Sequence, residues 1–137
     1  MDRHTRLLVV RRAKNSCEYC QIAQTLVPFH PFHVEHIVAK QHGGNDDPDN
    51  LCLACDRCNA YKGPNLTAID PVTNRVSELF HPRRHSWQEH FALFGPKIIG
   101  LTPIGRATVR LLNMNDYRRL SLRKELIALG DLRIEGT

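Results

Sequence analysis

The chain has 137 residues, enough for one compact domain with an extension. Its 42% apolar residues can build a modest core, and 24% charged residues is ordinary for a soluble protein. The formal net charge of +5 leans towards polyanionic partners, and no apolar run is long enough to span a bilayer.

The N-terminal stretch is basic and then apolar. Leu7-Leu8-Val9-Val10 is too short for a secretory core, and Arg11 and Arg12 follow at once, so a cytoplasmic compartment with reduced thiols is expected. Residues 5–14 read as a short helix leading to Cys17. A link rich in proline and aromatic residues, 27–31, precedes a strand over 32–38. The loop 41–48 is dense in turn formers, with Gly43-Gly44 permitting a tight reversal. The latter half of 51–63 suits a helix closed by Gly63 and Pro64, and Asp70-Pro71 marks a boundary between a core (1–70) and a C-terminal part (71–137).

In that second part, 75–80 reads as a strand, and Trp87, Phe91 and Leu93 alternate in another. Gly95-Pro96 then turns the chain into 97–101. Thr102 and Pro103 make a helix start, as N-cap and N1. Ile104, Ala107, Thr108, Leu111 and Leu112 give that helix one buried face, with Arg106 and Arg110 on the other side. A last helix is expected over 116–129, stopping at Gly130, with Leu120 and Ile127 on one side and Leu122, Leu126 and Leu129 on the other. Its second apolar side is a candidate homodimer contact.

Cys17-x2-Cys20 and Cys55-x2-Cys58 have zinc-site spacing. Each CxxC turn converges two thiolates on one ion, and two turns complete a closed, structural tetrahedron. Cys52-x2-Cys55 is a second possible knuckle. Cys52 lies in an apolar run where a buried thiol fits, so the ion is assigned to Cys55 and Cys58.

Between the knuckles lie the groups that metal-assisted phosphodiester cleavage needs: a base for water, a divalent cation and something to orient the base. An imidazole titrates near neutrality, so His36 can be the base. Glu35 offers a hard oxygen, and Asn59 an amide oxygen, to Mg²⁺ or Mn²⁺. Asn50 can hydrogen-bond across the loop to hold His36. Adjacent strand residues face opposite sides, so Glu35 and His36 share a site only through a bulge or the end of the strand. His33 shares Glu35's face and can touch metal or phosphate, and Lys62 can meet a phosphate. Arg83, Arg84, His85, Arg106, Arg110, Arg118, Arg119 and Arg123 are candidates for backbone contacts, which position a nucleic acid without reading it.

Cys17-Glu18-Tyr19-Cys20, Val34-Glu35-His36-Ile37, Gly43-Gly44, Asn50-Leu51 and Cys55-Asp56-Arg57-Cys58-Asn59-Ala60-Tyr61-Lys62-Gly63 together resemble the HNH endonucleases, in the branch with flanking CxxC pairs. The resemblance covers about residues 5–65. It implies an α+β fold with a ββα-metal core stapled by zinc, and a C-terminal extension of short strands and two helices. His36 falls on the first H and Asn50 on the middle N. Asn59 stands where the last histidine gives the family its name, and Glu35 where an aspartate is common. The family mechanism implies DNA hydrolysis by water activated at His36, with a divalent ion on Glu35 and Asn59, leaving 5′-phosphate and 3′-hydroxyl ends. The segments 79–83, 87–91 and 99–108 look like the extension of a group of small bacterial HNH proteins. A competing reading is a non-catalytic zinc module that binds nucleic acid or protein; it needs the four cysteines but not Glu35, His36 and Asn59.

Overall fold

A computed structural model describes residues 1–132. They form two compact units, one of residues 1–66 with 81–85, the other of residues 67–80 with those from Ser86 onward. Among the described residues no helix is long and apolar enough to cross a membrane.

The first unit opens with helix α1, Arg3–Arg12. It begins two residues earlier than expected because the Asp2 carboxylate accepts the Thr5 N–H at 2.8 Å, the bond an N-cap supplies. It ends early because Lys14 and Asn15 take left-handed φ of 53° and 54°. Val9 packs with Leu51 and Leu53 in a buried cluster fringed by Val10, Ala13, Phe32 and Val34.

The expected strand is shorter than its apolar pattern: β1, His33–His36, pairs antiparallel with β2, Leu51–Ala54. All four residues of β2 are buried, which explains why Leu-Cys-Leu-Ala shows no polar alternation. Leu51 and Leu53 meet the α1 cluster, whereas Cys52 lies on the opposite face beside Tyr19 and Glu35. The outer edge of β2 is closed by Glu18, whose N–H donates to the Leu53 carbonyl at 2.9 Å and whose carboxylate accepts the Leu53 N–H at 2.8 Å. Helix α2, Asp56–Lys62, follows and stops at Gly63, whose φ is +49°.

The second unit starts with a hairpin absent from the sequence expectations in its first half: β3, Thr67–Ile69, pairs with β4, Val76–Glu78. Asp70-Pro71 is therefore the turn of a hairpin. Trp87 is not in a strand but opens a single helical turn, α3, Trp87–His90. Hairpin β5, Phe91–Phe94, with β6, Lys97–Gly100, follows. Helix α4, Pro103–Leu111, starts as its sequence dictates, with Thr102 Oγ1 accepting the Gly105 N–H at 3.1 Å. A Cβ on Gly105 would stand 2.0 Å from the His90 carbonyl oxygen, so only glycine lets α4 come this close. Phe80, Trp87 and Phe91 form the aromatic core, with Phe91 5.1 Å, centroid to centroid, from each of the other two rings.

Helix α5, Tyr117–Ala128, lies within the expected span with Asp116 as its N-cap, but its buried side is Arg119, Arg123 and Leu126. Ile127 and Leu129 are exposed. The two arginines donate to main-chain carbonyls, Arg119 to Leu112 at 2.8 Å and Arg123 to Pro96 at 2.6 Å and Met114 at 2.5 Å. Their expected role at phosphates gives way to a structural one, because loops with unpaired carbonyls lie against this face.

Arg106 likewise turns inward. Its Nε and Nη2 donate to the two oxygens of Asp70 at 2.9 and 2.8 Å, and Asp70 also accepts from the Val72 N–H and the Thr73 hydroxyl. These bonds, the Arg106 pair first, hold the Asp70 carboxyl far below the usual carboxylate range. A carboxyl depressed in the folded state adds stability that is fully present above its unfolded pKa and is lost as pH falls through its folded pKa. Acid titration of unfolding, followed by circular dichroism, should therefore show stability declining below about pH 4. Asp70→Asn should flatten that acid limb and lower stability at neutral pH. An unchanged acid limb would mean that another carboxylate governs it.

Candidate functional site

Two short turns bring the knuckle cysteines together. In the first, Ser16 bridges Ala23, the Cys17 N–H donates to the Ile22 carbonyl, and Gln21 takes a φ of 70° so that its N–H returns to the Cys17 carbonyl. In the second, Cys55 is the N-cap of α2 and its Sγ accepts the Cys58 N–H at 3.4 Å; Cys17 Sγ accepts the Cys20 N–H at the same distance. The four Sγ atoms of Cys17, Cys20, Cys55 and Cys58 lie within 4.8 Å of one another, and all four residues are buried. A tetrahedron with Zn–S bonds of ~2.3 Å has edges of ~3.8 Å; Cys20 and Cys55 stand 3.7 Å apart. The donor set and spacing therefore fit zinc. Burial, and then the neighbouring thiols, raise the Cys17 thiol far above its usual value, so four thiolates coexist here only around a cation. Cys52 is not in this group, as its assignment to the apolar run anticipated.

The pairing of β1 with β2 is one-to-one from His33↔Ala54 to His36↔Leu51. No bulge re-aims a side chain within β1, so Glu35 and His36 face opposite sides, and His36 is the last residue of the strand. Of the two ways to unite them, only the strand end remains.

On the α2 side, Glu35 is buried. The Cys52 thiol lies 3.6 Å from its Oε1 and 3.7 Å from the Tyr19 hydroxyl. Burial pushes the Glu35 carboxyl up, against the nearby Lys62 charge and the Tyr19 hydroxyl, which pull it down. Lys62 is itself buried, at 2% exposure, with its ammonium donating to the Ile37 carbonyl at 2.9 Å. It ties α2 to the chain after β1, where a solvent-facing phosphate ligand was expected. His33 Nε2 pairs with Asp56 at the start of α2, at 2.7 Å. Asn59 lies on α2, half-buried, one residue after the knuckle cysteine.

On the other side, His36 Nε2 lies 2.7 Å from Asp46 Oδ1, and the same oxygen is 3.5 Å from the Lys40 ammonium. The hydrogen bond with His36 is the main cause that lowers the Asp46 carboxyl. The loop carrying Asp46 is closed by Asn50. Its Oδ1 accepts the Val38 N–H at 2.9 Å, and its Nδ2 donates to the carbonyls of Val38 at 3.0 Å and Asn45 at 2.9 Å. Asn50 thus holds the backbone beside His36 and the residue before Asp46, rather than the imidazole. Gly44 completes the fit, since a Cβ there would stand 1.7 Å from the Val38 carbonyl oxygen.

The sequence reading missed Asp46, Asp56 and Tyr19, and set Cys52 aside. In the sequence Asp46 is one of the turn formers of 41–48 and Asp56 only a residue inside the second knuckle, and nothing in the spacing of Tyr19 points to Glu35. Of the basic candidates, Arg83 pairs with Glu18 in the first unit, and Arg110 is exposed on α4.

Structural zinc binding in small modules contributes ~10–16 kcal/mol, as much as the ~5–15 kcal/mol that holds an ordinary domain together. Zinc removal, or Cys58→Ser, should therefore unfold the first unit; a far-ultraviolet spectrum unchanged by chelation would contradict this. Asn50→Asp replaces two donors with acceptors facing two carbonyls and should cost about 1–3 kcal/mol in urea unfolding. A midpoint equal to the wild type would show that the loop does not depend on this amide.

No curated protein and no solved structure matches the chain closely enough to carry an argument. The family model of the HNH endonucleases matches residues 17–65, the span from the first knuckle through the hairpin and α2. With the four clustered cysteines at its two ends, that segment is an HNH-family domain of the CxxC-paired type.

Proposed function

We propose that the protein is a metal-dependent endonuclease that hydrolyses DNA phosphodiester bonds, with His36 as general base. The observation that carries this reading is the pairing of His36 with Asp46 on a loop strapped by Asn50, inside an HNH-family domain. A histidine whose Nε2–H donates to a carboxylate has its tautomer and ring orientation set, and keeps the Nδ1 lone pair for a proton. Asp46 would hold the ring and stabilise the imidazolium as Nδ1 takes a proton from the attacking water. Asn50 would act through the backbone, keeping Asp46 and His36 in register.

A carboxylate from Glu35 and an amide from Asn59 suit a hard cation such as Mg²⁺ or Mn²⁺ in kind, and since burial pushes the Glu35 carboxyl up, an ion there would have to displace its proton. Such an ion, when bound, neutralises charge developing on the phosphate and the leaving oxygen. His33, held by Asp56 on the same side, is a further candidate for that neighbourhood.

One observation favours the alternative of a non-catalytic zinc module that binds nucleic acid. Glu35 is buried with Tyr19, Cys52 and Lys62, on the opposite face of the hairpin from His36.

The two readings separate on supercoiled plasmid incubated with the zinc-loaded protein and Mg²⁺ or Mn²⁺. The nuclease should relax or linearise it. His36→Ala should lower the rate by roughly 10²–10⁴-fold, the usual worth of a positioned base, and Asp46→Asn should lower it less. Plasmid, linear and single-stranded DNA all left intact by the folded wild type would remove the catalytic reading and leave the binding module.

A further inference from the structure

Arg12 and Arg83, far apart in sequence, line one open cleft of about 530 Å³ in the first unit, together with Asp49, His81, Pro82 and Arg84. Both are anchored at one end. Arg12 Nη2 donates to the Pro48 and Leu51 carbonyls at 2.9 and 2.7 Å, and Arg83 Nη2 is paired with Glu18. Each also carries a buried Nε that has no hydrogen-bond partner among the described residues. A buried donor left unmade costs about 1–3 kcal/mol, so neither guanidinium is fully satisfied by its protein partners.

The electrostatics point the same way. Burial, and then the Arg12 guanidinium, push the Arg83 guanidinium down to about 10, so the two like charges feel each other. Arg12, Arg83 and Arg84 bring three positive charges to the cleft against the carboxylates of Asp49, which lines it, and Glu18, which pairs with Arg83. The turn that presents Arg83 is braced internally: the His81 carbonyl accepts the N–H groups of Arg84 and His85, the His81 N–H donates to His85 Nδ1, and the Arg83 N–H donates to His81 Nδ1. The cleft also adjoins the proposed site in the chain: Leu51, whose carbonyl Arg12 grips, is the partner of His36 in the hairpin.

We propose that this cleft is a phosphate subsite, in which the guanidiniums of Arg12 and Arg83, with Arg84 at the rim, hold one backbone phosphodiester of a nucleic acid. A guanidinium carries a fixed charge and several N–H donors suited to phosphate oxygens, and an open cleft lets a polymer cross it. This subsite rests on the reading of the first unit as a domain that acts on nucleic acid, but not on cleavage.

The test uses the zinc-loaded full chain without added Mg²⁺ or Mn²⁺, with binding of a short fluorescent DNA duplex measured by anisotropy over a range of sodium chloride. Each phosphate contact contributes about 0.9 to the slope of log affinity against log salt. Arg84 is exposed, so Arg84→Ala should keep the fold while weakening binding about 3–10-fold and reducing the slope by about 1. Arg83→Lys keeps the charge beside Glu18 but loses the fork, and should weaken binding similarly. Affinity and slope unchanged in both variants would overturn the proposal. A parallel melting experiment compares inorganic phosphate with chloride at equal ionic strength. If phosphate stabilises the wild type while both variants bind duplex normally, the cleft serves a free anion and the backbone assignment fails. A reduced slope with no plasmid cleavage by any protein would sustain this subsite and remove the nuclease reading instead.

Discussion

Four sulfur atoms within one coordination sphere hold the first unit together. They join the two ends of the segment between Cys20 and Cys55, which contains the whole hairpin and its loop. Closing a flexible segment of that length costs on the order of 3 kcal/mol in chain entropy, small beside what a tetrathiolate zinc site returns. Other links depend on that closure. Glu18, inside the first knuckle, completes the edge of β2, and Cys55 serves α2 as its N-cap while offering its thiol to the ion. The helix bearing Asn59 and Lys62 therefore starts where the metal site fixes it.

The hairpin divides the chemistry. The α2 face holds a buried carboxylate among a thiol, a phenol and an ammonium, all short of solvent. The opposite face ends in an imidazole paired with a half-exposed carboxylate. Alternation of side chains in an unbroken strand leaves no third arrangement. His36 is the last residue of its strand, and Asn50, by satisfying both backbone groups of Val38, braces the chain just beyond it.

Elements with local signals were legible in the sequence. Thr102-Pro103 announced α4, Asp116 and Gly130 bounded α5, and the paired CxxC spacing announced the four-cysteine cluster. Features set by distant partners were not. Arg119, Arg123 and Arg106 looked like surface contacts for phosphates, because only the fold reveals which carbonyls and which carboxylate they meet. Lys62 is the sharpest case: its spacing from Cys58 suggested an exposed turn of helix, yet it is buried against Ile37. Trp87 misled for another reason, since its alternation with Phe91 and Leu93 continues across the junction of a helical turn and a strand.

The excursion of residues 81–85 into the first unit gives the chain an interleaved order: it leaves that unit after Leu66, returns at His81 and departs again at Ser86. Neither unit is a single uninterrupted stretch of polypeptide. A fragment ending near residue 66 would retain every cysteine of the clamp and yet strip Glu18 of its arginine, stranding a carboxylate that is only 12% exposed. Modular exchange of this domain between proteins would therefore have to carry a piece of its neighbour along.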